Sequence, residues 1–271
     1  MPNLSEAAAL FRDLAQVLVL DRFDDHRRQM SKEAGAYCRS LRFHSRSKIR
    51  PLPWPELLRK LGVSGVDQVS VPGPAINLGD VGGADYYFAL ASLVKALQPK
   101  TIFEFGTYLG VSALTMAANT SSNCRIYTMD LPDGAVPDSV PELNNTDQIH
   151  ITKSRFRVGE AFLQSPFQNR IVQIRDDSMT FRAESCATNV DLVFVDGGHS
   201  LPLIVKDTEN ALRILSSDGS ILWDDYFHHY PDVVTYLDEL SDRYPLHAIP
   251  GTNFVIYSRR WHNVAEKKQV P

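Results

Sequence analysis

Cysteine is scarce in this 271-residue chain, which contains three: Cys38, Cys124 and Cys186. Their odd number and wide spacing exclude a disulfide framework and match no zinc-binding pattern. Three unpaired thiols are typical of a reducing compartment, so we expect a cytoplasmic protein.

A strong charge of one sign and long apolar runs are also missing. The formal net charge is -4, so no overall field favours nucleic acid or an anionic membrane, and we expect neither as a partner. The apolar stretch 7–20 is interrupted by Arg12 and Asp13. It falls short of the ~20 apolar residues that span a bilayer. It predicts an amphipathic helix rather than a signal peptide.

Proline and glycine divide the chain into two parts. Apolar positions recur at helical spacing over 5–47, and breaks follow at Pro51, Pro53 and Pro55 and at 72–83. We therefore expect a helical N-terminal segment, 1–80, that serves oligomerisation or caps the substrate, and a main domain, 81–271. A basic cluster ends the first helical pattern and is interpreted as a solvated face or as a contact to a partner subunit or an anionic substrate: Arg39, Arg42, Arg46, Lys48 and Arg50.

Strands and helices alternate in the main domain. The strand patterns cover 101–105, 125–130, 171–175, 190–196 and 220–223, with a closing hairpin at 246–258. The helical patterns cover 84–97, 111–119, 158–166, 202–215 and 232–243. This alternation predicts an α/β fold, a Rossmann-like, mostly parallel sheet with helices on both faces. The polar stretch 131–152 is predicted to be a loop, either a lid, a binding loop or a disordered segment.

Carboxylates stand at the predicted strand ends: Glu104, Asp130, Asp196, Asp224 and Asp225. Ligands of open α/β sheets bind beyond those ends. The loop from Glu104 to Ser112 contains Gly106 for a tight turn and Gly110 for close packing of the next helix. It lacks the third glycine of the dinucleotide motif G-x-G-x-x-G, which disfavours NAD. Asp130 is placed to bind a ribose, and the segment 175–178 to read an adenine edge.

These motifs, in this order, resemble those of class I S-adenosylmethionine (SAM)-dependent methyltransferases. The segments Phe194–Ser200 (F-V-D-G-G-H-S) and Trp223–Tyr226 (W-D-D-Y) resemble small-molecule and sugar O-methyltransferases with F-V-D-G-x-H-S and W-x-D-Y strand ends. The resemblance implies a seven-stranded sheet with one antiparallel strand. It also implies cofactor contacts: Glu104 and Gly106 with the methionine moiety, Asp130 with ribose, Asp177 and Ser178 with adenine, and Thr107, Gly110 and Ser112 in the same loop.

Asp196, Asp224 and Asp225 are expected to lie together, because they end neighbouring strands. Crowded carboxylates repel one another, and a divalent cation relieves that repulsion, so we predict a metal site with Mg²⁺ as the first choice. Alternatively, Asp196 caps the following turn, and Asp225 bonds loop backbone. His199 is the candidate general base, with His228 and His229 as rivals, and Tyr226 is a candidate for the acceptor pocket.

The expected function is metal-assisted transfer of a methyl group from SAM to a hydroxyl of a small molecule, such as a sugar or natural-product intermediate. We expect a homo-oligomer. Two alternatives stay open: a metal-independent methyltransferase acting on nitrogen or a macromolecule, and a non-catalytic SAM-binding protein. The strand-end acids argue against a polyanionic substrate.

Overall fold

The computed structural model describes residues 43, 47–73, 84–132, 135, 145–154 and 157–261. Its helices are α1 (Trp54–Leu61), α2 (Ala84–Leu97), α3 (Val111–Ala118), α4 (Asn145–Ser154), α5 (Leu201–Ile214) and α6 (Pro231–Leu240). Its strands are β1 (Thr101–Phe105), β2 (Arg125–Asp130), β3 (Ile171–Arg175), β4 (Val190–Val195), β5 (Leu215–Trp223), β6 (His247–Ala248) and β7 (Val255–Ser258). In this part of the chain, no helix is long and apolar enough to cross a membrane.

The seven strands form one sheet in the order β3-β2-β1-β4-β5-β7-β6. The first five strands are parallel, and β7 runs antiparallel to both β5 and β6. Alternate residues of a strand face opposite sides of a sheet. Accordingly, Phe103 and Val193 lie in one buried cluster, and Ile102 and Leu192 lie in another. The predicted Rossmann-like sheet, with its single antiparallel strand, is confirmed.

The chain separates into two compact units, 1–42 and 43–271. Helix α1 belongs to the second unit, where Leu57 and Leu61 are buried in the same cluster as Leu90 of α2. The predicted boundary near residue 80 places α1 in the N-terminal segment, whereas its packing joins it to the second unit. The prediction of helix over 5–47 lies almost entirely outside the described residues.

Two local predictions are wrong. Helix α4 occupies 145–152 of the stretch 131–152 that the sequence predicts to be a loop, and it continues to Ser154. The expected helix over 158–166 is instead a series of turns. Gly159 (φ 81°) and Gln164 (φ 66°) both have left-handed backbones, which a right-handed helix does not contain.

The strand register aligns the carboxyl ends in one row. Phe105 pairs with Met129 and with Val195, and Val195 pairs with Trp223. The residues that follow these four positions are Gly106, Asp130, Asp196 and Asp224. The sheet therefore collects the predicted site residues along one rim.

Candidate active site at the carboxyl rim of the sheet

The turn after β1 passes very close to the end of β4. A Cβ added to Gly106 would lie 1.8 Å from the carbonyl oxygen of Asp196, and the backbone there has φ 94°. The Gly106 amide donates to the Met129 carbonyl at 2.9 Å, and the Asp196 amide donates to the Phe105 carbonyl at 2.9 Å. Only glycine fits this crossing, which brings the loop after β1 against the loop after β4.

Asp130 holds the loop after β1 in place. One carboxylate oxygen accepts a bond from the Tyr108 amide at 2.6 Å, and the other accepts from the Leu131 amide at 2.8 Å. Burial raises the pKa of Asp130, and these backbone bonds oppose that effect. The loop then ends at Gly110, next to the first residue of α3, where its backbone packs against Phe162.

A buried polar group lies beneath this loop. Thr128 donates to Glu104 Oε2 at 2.5 Å, and the hydroxyls of Thr128 and Thr107 are 2.7 Å apart. Ser112 also bonds Glu104, and burial raises the pKa of Glu104 to about 8. Among the described residues, Glu104 Oε1 is buried without a hydrogen-bond partner. An unsatisfied buried carboxyl oxygen is costly unless a donor reaches it or the group is protonated.

A cleft opens above the rim. Five of the predicted site residues line it: Gly106, Asp130, Asp177, Ser178 and Asp196. The other predicted cofactor residues lie beneath or behind it: Glu104, Thr107, Gly110 and Ser112. Asp207 of α5 also lines the cleft and bonds Ser178, and burial raises the pKa of Asp207 to about 7. The sequence analysis did not identify Asp207, which lies inside a helix and not at a strand end.

Three carboxylates meet at the ends of β4 and β5. Asp196, Asp224 and Asp225 each offer an oxygen, and these oxygens lie within 4.8 Å of one another. Burial and the neighbouring carboxylates raise the pKa values of Asp196 and Asp224. Asp224 is 9% exposed, and its Oδ1 has no partner in the part of the chain described. Three hard oxygen donors at this spacing could hold a divalent cation.

Tyr86 of α2 contacts this cluster from the side. Its hydroxyl donates to Asp196 Oδ2 at 2.9 Å. Its ring packs against Tyr87 and Phe254, with centroids 4.8 and 4.9 Å away. The sequence analysis missed Tyr86, because no motif in α2 distinguishes one of its aromatic residues from another.

His199 lies between two carboxylates. Its Nδ1 is 2.5 Å from Asp147 Oδ1, and its Nε2 is 2.7 Å from Asp225 Oδ2. Burial lowers the pKa of His199, but Asp225 and Asp147 outweigh it and raise the pKa to about 10. Both ring nitrogens therefore carry protons in this arrangement, whereas a general base needs a free lone pair. The predicted base role requires one of these bonds to open and stays a prediction.

The other candidates of this loop have different surroundings. His228 and His229 are exposed and pack against Phe227, with ring centroids 4.0 and 5.2 Å away. Tyr226 is fully buried, and its hydroxyl donates to Asp238 at 2.6 Å. Tyr226 thus belongs to the protein core rather than to the acceptor pocket.

The known proteins that this chain resembles are methyltransferases. The sequence matches the family described as a methyltransferase domain over residues 103–226. No curated protein sequence matches the chain. Among solved structures, the O-methyltransferase NovP is similar with a TM-score of 0.52 and 16% identity, covering 65% of this chain and 80% of that chain.

Two further solved structures are similar at lower TM-scores. The methyltransferase PaMTH1 from Podospora anserina, bound to S-adenosylhomocysteine (SAH), has a TM-score of 0.48 and 17% identity, covering 89% of this chain and 97% of that one. The O-methyltransferase from Bacillus cereus in complex with SAH has a TM-score of 0.45 and 19% identity, covering 69% and 83%. The family match, the strand order and the loop after β1 confirm the resemblance to class I SAM-dependent methyltransferases. Residues 103–226 thus match a methyltransferase-domain family, and the described part of the chain has a Rossmann-like, mostly parallel sheet.

Proposed function

We propose that the chain transfers the methyl group of SAM to a hydroxyl oxygen of a small molecule, with a divalent cation held at the end of the sheet. One observation carries this proposal. The ligand oxygens of Asp196, Asp224 and Asp225 lie within 4.8 Å of one another, and Asp196 also lines the cleft that contains Asp130 and Ser178. The proposed nucleoside site and the proposed cation site would thus be contiguous.

The cofactor part of the proposal rests on the loop after β1. Gly106 and Asp130 both line the cleft above the rim, and Asp130 holds the loop through its bond from the Tyr108 amide. We assign Asp130 to the ribose and Asp177 and Ser178 to the adenine. The match of residues 103–226 to a methyltransferase domain supports the choice of SAM over other nucleosides.

The residues at the end of β4 and β5 fit a cation. Three carboxylates lie together there, burial and neighbouring carboxylates raise the pKa values of Asp196 and Asp224, and Asp224 Oδ1 lacks a partner among the described residues. Asp196, Asp224 and Asp225 would hold the ion, and Mg²⁺ is our first choice, because all the ligands are hard oxygens. The bound ion would act as a Lewis acid that lowers the pKa of an acceptor hydroxyl.

The chain's own residues then supply alignment. Tyr86 fixes the Asp196 carboxylate by donating to it, and His199 fixes Asp225. An acceptor oxygen held beside these groups faces the cleft, so that oxygen, methyl carbon and sulfur are brought into line. The hydroxyl releases its proton to solvent, the methyl group moves to the oxygen as its bond to sulfur breaks, and the products are the methyl ether, S-adenosylhomocysteine with an uncharged sulfur, and one proton. Homo-oligomerisation and the role of 1–80 remain predictions.

Methyl transfer from labelled SAM to a panel of hydroxylated small molecules tests the proposal. We expect activity with a divalent cation and loss of it in EDTA and in Asp224→Asn. Asp67→Asn, at an exposed position away from the rim, is the matched control and keeps activity. Full activity of Asp224→Asn in EDTA refutes the cation and favours the metal-independent alternative. SAH binding without turnover of any acceptor favours the non-catalytic alternative.

A further inference from the structure

We propose that Asp147 is a positioning residue that acts through His199 to orient Asp225, and thereby sets the affinity of the cation site. This inference rests on the proposed function, because Asp225 is a proposed cation ligand. No strand-end motif contains Asp147, which lies in the first turn of α4. Its contacts, however, lead directly to the carboxylate cluster.

Asp147 is bound to one residue at three points. Its carboxylate accepts from the His199 backbone amide at 3.0 and 3.2 Å and lies 2.5 Å from the ring Nδ1. Asp147 and His199 are both 5% exposed, so little water competes for these bonds. Helix α4 is thus attached to the loop after β4 across 52 positions of sequence.

The imidazole ring passes this constraint to Asp225. Nε2 lies 2.7 Å from Asp225 Oδ2, and the ring stacks on Tyr230 with centroids 4.4 Å apart and planes 17° apart. The Asp225 backbone has φ 62°, in the left-handed region that Asp occupies more readily than most residues other than glycine. The bond with His199 holds the Asp225 side chain from outside its own loop.

Positioning of this kind affects cation binding because a ligand carboxylate binds best when it is already oriented. Residues that orient metal ligands through hydrogen bonds commonly change metal affinity by about 10-fold to 100-fold when removed. Without Asp147, the His199 ring keeps its stacking on Tyr230 but loses the hydrogen-bond partner of Nδ1. Asp225 Oδ2 then loses a fixed donor, and we expect the cation site to weaken by about 10-fold or more.

Calorimetric titration of the full chain with Mn²⁺ alone tests this inference. We expect Asp147→Ala to weaken Mn²⁺ binding about 10-fold and Asp147→Asn, which keeps an acceptor oxygen, to weaken it less. Gln148→Ala, an exposed position on the same helix, is the matched control and should bind Mn²⁺ as the unmodified chain does. Should Asp147→Ala fail to fold, the graded weakening in Asp147→Asn decides the question.

A double-mutant cycle distinguishes positioning from a general loss of structure. If Asp147 acts through His199, then Asp147→Ala adds no further loss of Mn²⁺ affinity in a His199→Gln background. An equal additional loss in that background overturns the inference, as does unchanged Mn²⁺ affinity in Asp147→Ala. Absence of Mn²⁺ binding to the unmodified chain would overturn the proposed cation site itself, and this inference with it.

Discussion

The crossing of β1 and β4 at Gly106 yields a quantitative prediction for Gly106→Ala. A Cβ there would lie 1.8 Å from the Asp196 carbonyl oxygen, and real Cβ atoms essentially never approach closer than 3.0 Å. The two loops must therefore separate by at least the missing 1.2 Å. Hydrogen bonds to Met129 and from Asp196 hold the backbone on both sides and resist this shift.

The expected cost has two parts. A left-handed backbone costs a residue with a Cβ roughly 1–2 kcal/mol, and overpacking costs a further ~1–3 kcal/mol. We therefore expect Gly106→Ala to lower the free energy of unfolding by about 2–5 kcal/mol. Because the shift moves both the cofactor loop and Asp196, SAH and Mn²⁺ binding should fall together.

Gly62→Ala is the matched control for this prediction. Gly62 also has a left-handed backbone, with φ 75°, but a Cβ there would meet nothing within 4 Å. Gly62→Ala should lower the free energy of unfolding only by the conformational part, about 1–2 kcal/mol, and should leave ligand binding intact. Urea unfolding gives the stabilities, and calorimetry gives the affinities. Equal stability loss in both variants, with unchanged SAH affinity in Gly106→Ala, would refute the argument from the crossing.

Two further predictions concern buried polar groups. Burial raises the pKa of Glu104 to about 8 from an unfolded value near 4.5. Its contribution to stability is therefore fully present below pH 4.5 and is lost as the pH rises towards 8. In urea unfolding at pH 5 to 8, Glu104→Gln should reduce the fall of the unfolding free energy with pH by up to about 1.4 kcal/mol per pH unit. An unchanged slope would contradict it. Tyr86→Phe removes the donor to Asp196 and should lower the unfolding free energy by about 1–3 kcal/mol. Thermal or urea unfolding measures it, and an unaltered stability would show that the bond contributes nothing.

The strands of the parallel sheet could be predicted because a short run of apolar and strand-forming residues marks each of them in the sequence. The runs 101–105, 125–130 and 171–175 coincide with β1 to β3, and the run 190–196 exceeds β4 by one residue. The inner strands β1 and β4 are almost completely buried and mostly apolar, and each of the four runs ends at a turn or a carboxylate. The row of acids at the rim followed directly, because parallel strands place their carboxyl ends on one edge.

Helix α4 could not be predicted in the same way. Its sequence, N-T-D-Q-I-H-I-T-K-S, has no continuous apolar stripe. The contacts of α4 are made with residues far away in the chain, as between Asp147 and His199. The false helix over 158–166 had the opposite cause. Its apolar spacing resembles that of a helix, but Gly159 adopts a left-handed backbone where a Cβ would press on Phe162.

The same distinction explains which site residues were found. Asp130, Asp196, Asp224 and Asp225 follow strands, so their meeting could be deduced from topology alone. Tyr86, Asp147 and Asp207 come from helices and reach the cleft or its carboxylates through tertiary packing. His199 was found by its motif, but its partners were not, and those partners change its chemistry from a free base to a doubly bonded, protonated ring.

The acids at the rim reduce the stability of the ligand-free protein. Burial raises the pKa values of Glu104, Asp196, Asp207 and Asp224, so ionising them at neutral pH works against the fold. Under the proposed function, the site receives two positive centres, the sulfonium of SAM and a divalent cation, each of which compensates buried negative charge. Binding that relieves such strain also stabilises the folded state. A residue set that costs stability alone and recovers it with cationic ligands is explained by ligand binding and not by folding.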